Sequence, residues 1–256
     1  MCLLVFAWQT HPDHALIFAG NRDERHARAT LPAELWRDAP EVLGGRDLEA
    51  GGTWLGVTLA GHFAVVTNYR EGLAPPKARL SRGALTADFL KADMPAEKYL
   101  DGIRKHAQDY GAFSLIVGDC RELHYYSNRG DHGGPIAPGI HGLSNHLLDT
   151  PWPKVQLSKA RLVALLDKEV PASDDLFRLL ADQAPAADGK LPDTGIGIEL
   201  ERRVSAPFVL NPEYGTRCST AIYLQNDGGL RFAERRFSPA GESVETHYFQ
   251  LSGGGM

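Results

Sequence analysis

The sequence predicts an α+β fold of two antiparallel sheets, each covered by helices. Three observations lead there. Short apolar runs come in close pairs joined by turn residues, as hairpins do. Helical patterns fall in blocks between the strand pairs instead of alternating with single strands. No GxGxxG follows a strand, which disfavours a doubly wound parallel sheet. The order is strands, helices, strands, helices, strands, with no repeat or linker, and 1–256 reads as one domain.

The first hairpin is Leu3 to Trp8 and Ala15 to Ala19, turning through His11-Pro12-Asp13. A second joins Thr53–Leu59 to His62–Thr67 across Ala60-Gly61. Between them, Pro32, Pro40, Gly44-Gly45 and Gly51-Gly52 read as a long irregular excursion. Ser81 is placed to cap a helix running through Leu85, Phe89 and Leu90, and a second helix is expected from about Pro95 to Gln108. Phe113–Val117 and Glu122–Tyr126 form the next hairpin. Asp149-Thr150-Pro151 marks a helix start, with Val155, Leu162, Leu165 and Leu166 on its buried side. A short helix over Asp174–Leu180 precedes a surface loop at Ala181–Asp193, rich in Ala, Pro, Asp and Gly. Strands at Cys218–Leu224, Leu230–Phe237 and Glu245–Leu251 close the chain.

Composition narrows the function classes. Hydrophobic residues at 43% and charged residues at 23% are globular usage rather than disorder. A net charge of -5 argues against a nucleic-acid partner, which would want a basic face. No apolar run approaches the roughly 18 residues that span a bilayer. The apolar opening Cys2–Trp8 has no basic segment before it and no small-residue cleavage site after it, so a buried strand is expected, not a signal peptide. The three cysteines, Cys2, Cys120 and Cys218, are far apart with no CxxC. A disulfide framework and a zinc site are therefore not expected, and the cytoplasm is the expected compartment. The ten histidines include His11, His14, His132, His141 and His146 as candidate ligands, but no HExxH or tight cluster appears. They read as surface or hydrogen-bonded residues, and no resident metal or cofactor is expected. Without a GxSxG, a nucleophilic serine is unsupported.

Cys2 carries the sharpest chemistry. Removal of Met1 would put a thiol and a free α-amine on one residue. The amine, with a reference pKa near 8, can take the thiol proton and return it to a leaving nitrogen. The competing reading is a buried core cysteine. Asn21-Arg22-Asp23-Glu24 ends the second strand, where a hairpin brings it beside Cys2. There Asp23 can orient the amine or hold Arg22, and Arg22 can depress the thiol pKa. A charged surface turn is the alternative.

This string after a Met-Cys start resembles the NRDE family, also called the transport and Golgi organisation protein 2 family. Five further segments fit its pattern in order: Gly52-Thr53-Trp54-Leu55-Gly56, Val66-Thr67-Asn68-Tyr69-Arg70-Glu71, Ser81-Arg82-Gly83, Gly142–Asn145 with Asp149–Val155, and Tyr214–Thr220. That family in turn resembles the choloylglycine hydrolases, N-terminal-nucleophile enzymes with a four-layer αββα fold that cleave amide bonds. The resemblance implies an amidohydrolase acting on a small acyl conjugate, with Cys2 as nucleophile and Asp23 contacting its amine. It further implies that Asn68 helps form the oxyanion hole, that Asn145 is a second polar group facing the site, and that Arg217 is a late arginine near the nucleophile. Asn21, Arg22 and Glu24 support the site. The hydrolases keep two residues between their first arginine and the aspartate. Here Arg22 adjoins Asp23, so the two are expected on opposite sides of the strand. The other reading drawn from the family is a haem or lipid carrier, with Cys2 or a histidine on the iron and Trp54 and Tyr69 on the ring.

Overall fold

A computed structural model of the chain describes residues 2–73, 78–130 and 133–251. His132 therefore lies outside the described residues. The strands are β1 (Cys2–Trp8), β2 (His14–Arg25), β3 (Thr30–Trp36), β4 (Ala39–Asp47), β5 (Leu55–Thr58), β6 (Phe63–Asn68), β7 (Phe113–Gly118), β8 (Leu123–Ser127), β9 (Gly133–Pro135), β10 (Gly139–Leu143), β11 (Tyr214–Gln225), β12 (Leu230–Phe237) and β13 (Ser243–Leu251). The helices are α1 (Arg82–Lys91), α2 (Ala96–Arg104), α3 (Pro153–Leu166), α4 (Ser173–Leu180) and α5 (Ile198–Arg203).

The strands form two antiparallel sheets, ordered β10-β1-β2-β11-β12-β13 and β3-β4-β5-β6-β7-β8-β9. Alternation along β1 decides the layering. Leu4, Phe6 and Trp8 join Phe18, Leu55, Phe63, Val65 and Ile116 in a core between the sheets. Leu3, Val5 and Ala7 face the other way, against Val155 and Leu162 of α3 and Leu176 and Leu180 of α4. On the far side of the second sheet, Val66, Leu115 and Val117 pack under Leu85 and Phe89 of α1 and Leu100 of α2. The result is an αββα sandwich, the fold class that the sequence predicts. Phe18 and Phe63 meet edge to face across its middle, with centroids 5.3 Å apart. No helix of the described residues is long and apolar enough to cross a membrane.

Several elements differ from the sequence reading. The supposed excursion is the β3–β4 hairpin. β3 is an edge strand, so Pro32 costs no ladder bond there, and the register breaks between Leu31 and Glu34. Gly44 permits a close approach, since a Cβ at that position would sit 2.8 Å from the Leu55 carbonyl oxygen. β2 runs six residues past Ala19, through Asn21-Arg22-Asp23-Glu24-Arg25, because β1 and β11 on its two sides satisfy the backbone of this polar stretch. β9, β10 and α5 had no counterpart in the reading, and the second helix gives way to a 3-10 turn over Ala107–Asp109. The third helix starts at Pro153, not beside Asp149. Asp149 takes a left-handed φ of 59° and turns its carboxylate to His141, the Gly142 N–H and Lys159. Ser81 does cap α1, its hydroxyl accepting from the Gly83 N–H.

Candidate active site

The site grows from one row across the first sheet. Cys2 lies opposite Arg22, Arg22 opposite Cys218, and Cys218 opposite Arg236. By the alternation that buries Leu4 and Phe6, this row faces the second sheet. It forms one wall of a cavity of about 260 Å³, to which the second sheet and α1 contribute Trp54, Asn68, Ser81 and Arg82. Asp23, Glu24 and Arg217 also border it.

Cys2 is 7% exposed, and its carbonyl accepts a 2.8 Å hydrogen bond from the Ser144 hydroxyl. Burial pushes its thiol above the usual range. The Asp23 charge adds to that rise, while Arg22 and the Asp23 backbone N–H oppose it. Asp23 is 1% exposed, and its Oδ1 accepts from the Thr216 hydroxyl at 2.7 Å. Burial raises its carboxyl too, against the opposing charges of Lys154 and Arg22. Arg22 and Asp23 both border the cavity although neighbours on a strand diverge. They sit where β11 bulges at Arg217, between the pairs Thr216–Asp23 and Cys218–Arg22. The bulge also places the Arg217 guanidinium on the Arg25 and Arg28 carbonyls, at 2.9 and 3.0 Å. Glu24 is 3.8 Å from Arg22.

Two of the named residues do not line the cavity. Asn21 turns to the helical face, donating to the Leu180 and Pro207 carbonyls and accepting from Ser219, so its amide anchors the chain beneath the sheet. Asn145 is fully buried with φ 39°, and its side chain donates to the Asn68 carbonyl at 3.0 Å. With Ser144 holding the Cys2 carbonyl, this loop ties the first sheet to the second, and both Cys2 and Asn68 border the cavity.

Sequence reasoning passed over Lys154 as a site group. It is 2% exposed, donates to the Val204 carbonyl at 2.9 Å, and interacts electrostatically with Asp23 and Cys2. Burial lowers its ammonium to about 8. Nearby, Arg70 and Glu201 form a buried 2.6 Å ion pair. A lysine directly after Trp152-Pro153, on what should be an apolar helix face, was the available signal. Arg82 and Glu234 were also missed. Arg82 falls in the Ser81-Arg82-Gly83 motif, which by itself reads as a capped helix start, and Glu234 sits in an ordinary strand; only the stacking of the sheets brings them to the cavity.

Fold and site together define an αββα sandwich with a cysteine opening an inner strand, beside a buried aspartate and a buried lysine that interact electrostatically. The chain belongs to the family described as Transport and Golgi organisation 2, whose model matches residues 1–239. It is 36% identical over 276 residues to the Transport and Golgi organization protein 2 homolog of Bos taurus, covering 98% of this chain and 99% of that one. The Homo sapiens homolog is 34% identical over 257 residues, covering 92% of each. Among solved structures, penicillin V acylase from Agrobacterium tumefaciens aligns over 98% of this chain and 86% of its own, with a TM-score of 0.45 and 13% identity. The C2A mutant of the conjugated bile acid hydrolase from Clostridium perfringens aligns over 98% and 92%, with a TM-score of 0.49 and 8% identity.

Proposed function

We propose that the protein is a cysteine amidohydrolase of the N-terminal-nucleophile type, cleaving the C–N bond of a small acyl conjugate. The observation that carries this reading is the position of Cys2: the opening residue of an inner strand, at the wall of a polar cavity, with Arg22 opposite and Asp23 and Asn68 also lining it. Because burial keeps the thiol protonated, attack needs a base already in place. Excision of Met1 supplies one in the Cys2 α-amine, which Asp23 orients. The sulfur attacks the carbonyl carbon as its proton passes to the amine, and the Asn68 amide donates to the oxyanion. Collapse breaks the C–N bond while the amine returns the proton to the leaving nitrogen. Water then cleaves the thioester, releasing the acid and restoring the thiol.

The haem-carrier reading has Cys2 and Trp54 on the cavity wall and less support from the other residues it invokes. Among the described residues no histidine borders the cavity, and its walls are polar and rich in arginine. Tyr69 is engaged elsewhere, its hydroxyl 2.7 Å from His146 Nε2.

The test combines intact mass with acyl transfer. The native protein is expected to lack Met1 and, on incubation with an acyl p-nitroanilide, to gain an acyl mass on the Cys2 peptide. Cys2→Ala should gain none, and Asn68→Ala should acylate roughly 100-fold more slowly with little change in binding. A protein that has lost Met1 and still forms no adduct would overturn the proposal.

A further inference from the structure

The chain as a whole is acidic, at -5, yet the cavity beside Cys2 is not. Six arginines border it, Arg22, Arg28, Arg46, Arg82, Arg217 and Arg236, against four carboxylates, Asp23, Glu24, Asp47 and Glu234. Partnerships sharpen that surplus. Arg28 is bound to Asp47 at 2.6 Å and to Glu49 at 3.1 Å. Arg46 is paired with Asp38 at 2.8 Å, and Arg236 with Glu245. Glu234 and Asp23 are buried, and burial favours their neutral forms. That leaves Arg22, Arg82 and Arg217 around Glu24, whose nearest approach to any of them is the 3.8 Å contact with Arg22.

Arg82 and Arg217 stand apart from the rest. Among the described residues neither makes an ion pair. Arg82 donates to the Ala112 carbonyl at 3.1 Å and Arg217 to two backbone carbonyls, in each case through one of several guanidinium nitrogens. Both are partly desolvated, and Arg22 and Arg236 repel Arg217. Crowding desolvated like charges costs free energy, which a bound anion would return. The two come from different layers, Arg82 from the start of α1 and Arg217 from the β11 bulge, so an anion between them would contact both halves of the sandwich.

We propose that this cavity takes a substrate bearing an anionic group, a carboxylate or a phosphate, held by Arg82 and Arg217, with Arg22 on the same cavity wall. This deepens the amidohydrolase reading by giving the acyl conjugate a charge, but its test needs neither turnover nor loss of Met1.

Cys2 itself is the reporter. Iodoacetate and iodoacetamide alkylate thiols by the same displacement and differ in charge. With Cys120 as the reference thiol, Cys2 of the native protein is expected to favour iodoacetate by about tenfold at low salt, the lower end of electrostatic steering. The preference should vanish at high salt and in the Arg82→Gln/Arg217→Gln double variant. Inorganic phosphate or acetate, against chloride at equal ionic strength, should protect Cys2 from iodoacetamide, and the stronger protector identifies the anion class. A native preference at or below one, or protection by neither anion, would overturn the proposal. The salt series on the native protein decides the matter even if the double variant fails to fold.

Discussion

Asp23 and Lys154 illustrate what a buried charge requires. Each is almost fully enclosed, and each is pushed toward its neutral form by burial and toward its charged form by the other. A double-mutant cycle with Lys154→Met and Asp23→Asn is expected to give a favourable coupling of about 1–3 kcal/mol in urea unfolding. Simple additivity would mean that the two do not act as a pair. The pair also predicts a pH signature. The Lys154 ammonium titrates at about 8 in the folded protein, below the ordinary lysine value. Between the two, the unfolded chain holds a proton that the folded one has shed, so stability rises with pH through that window. Lys154→Met should lose this rise, as followed by unfolding midpoints across mildly to strongly alkaline buffers.

Among the elements, α1 is seated by two glycines. A Cβ on Gly52 would lie 2.4 Å from the Gly83 carbonyl carbon and oxygen, and the Thr53 N–H donates to that same oxygen. Gly52-Thr53-Trp54 and Ser81-Arg82-Gly83 are thus two sides of one contact, and both border the cavity. Gly52→Ala is expected to cost about 1–3 kcal/mol through backbone displacement, and to weaken the iodoacetate preference of Cys2 by shifting Arg82. Unchanged stability together with an unchanged preference would show that the contact yields freely. Here the sequence displayed the motifs without their meaning. A glycine advertises close approach, but not to what.

For the whole molecule, the site exists because the sheets stack. Cys2, Arg22 and Arg217 belong to one sheet and Asn68 to the other, and the interface between them is filled by side chains such as Phe18 and Phe63. Phe63→Ala, remote from the cavity lining, is expected to cost about 3–5 kcal/mol, read as a lower urea midpoint at unchanged slope. A loss below about 1 kcal/mol would mean that the two sheets do not depend on this contact.

Periodicity and turn chemistry in the chain alone determined the class of fold, the strands that begin and end it, and the Ser81 cap. Each of these depends on residues a few positions apart. The string around Asp23 and the ordered motifs likewise determined the family. Only the tertiary structure decided that the Pro32–Pro40 region pairs as an edge hairpin and that Asn21 faces the helices. It also decided that Asn145 braces Asn68, and that Lys154 and Arg82 join the site from helices. These outcomes depend on sheet register, on one bulge at Arg217, and on the stacking of layers whose residues lie 100 or more positions apart, as Glu234 does from Ala33. No local pattern encodes such pairings, because the free energy that selects them is released only when both surfaces are buried together.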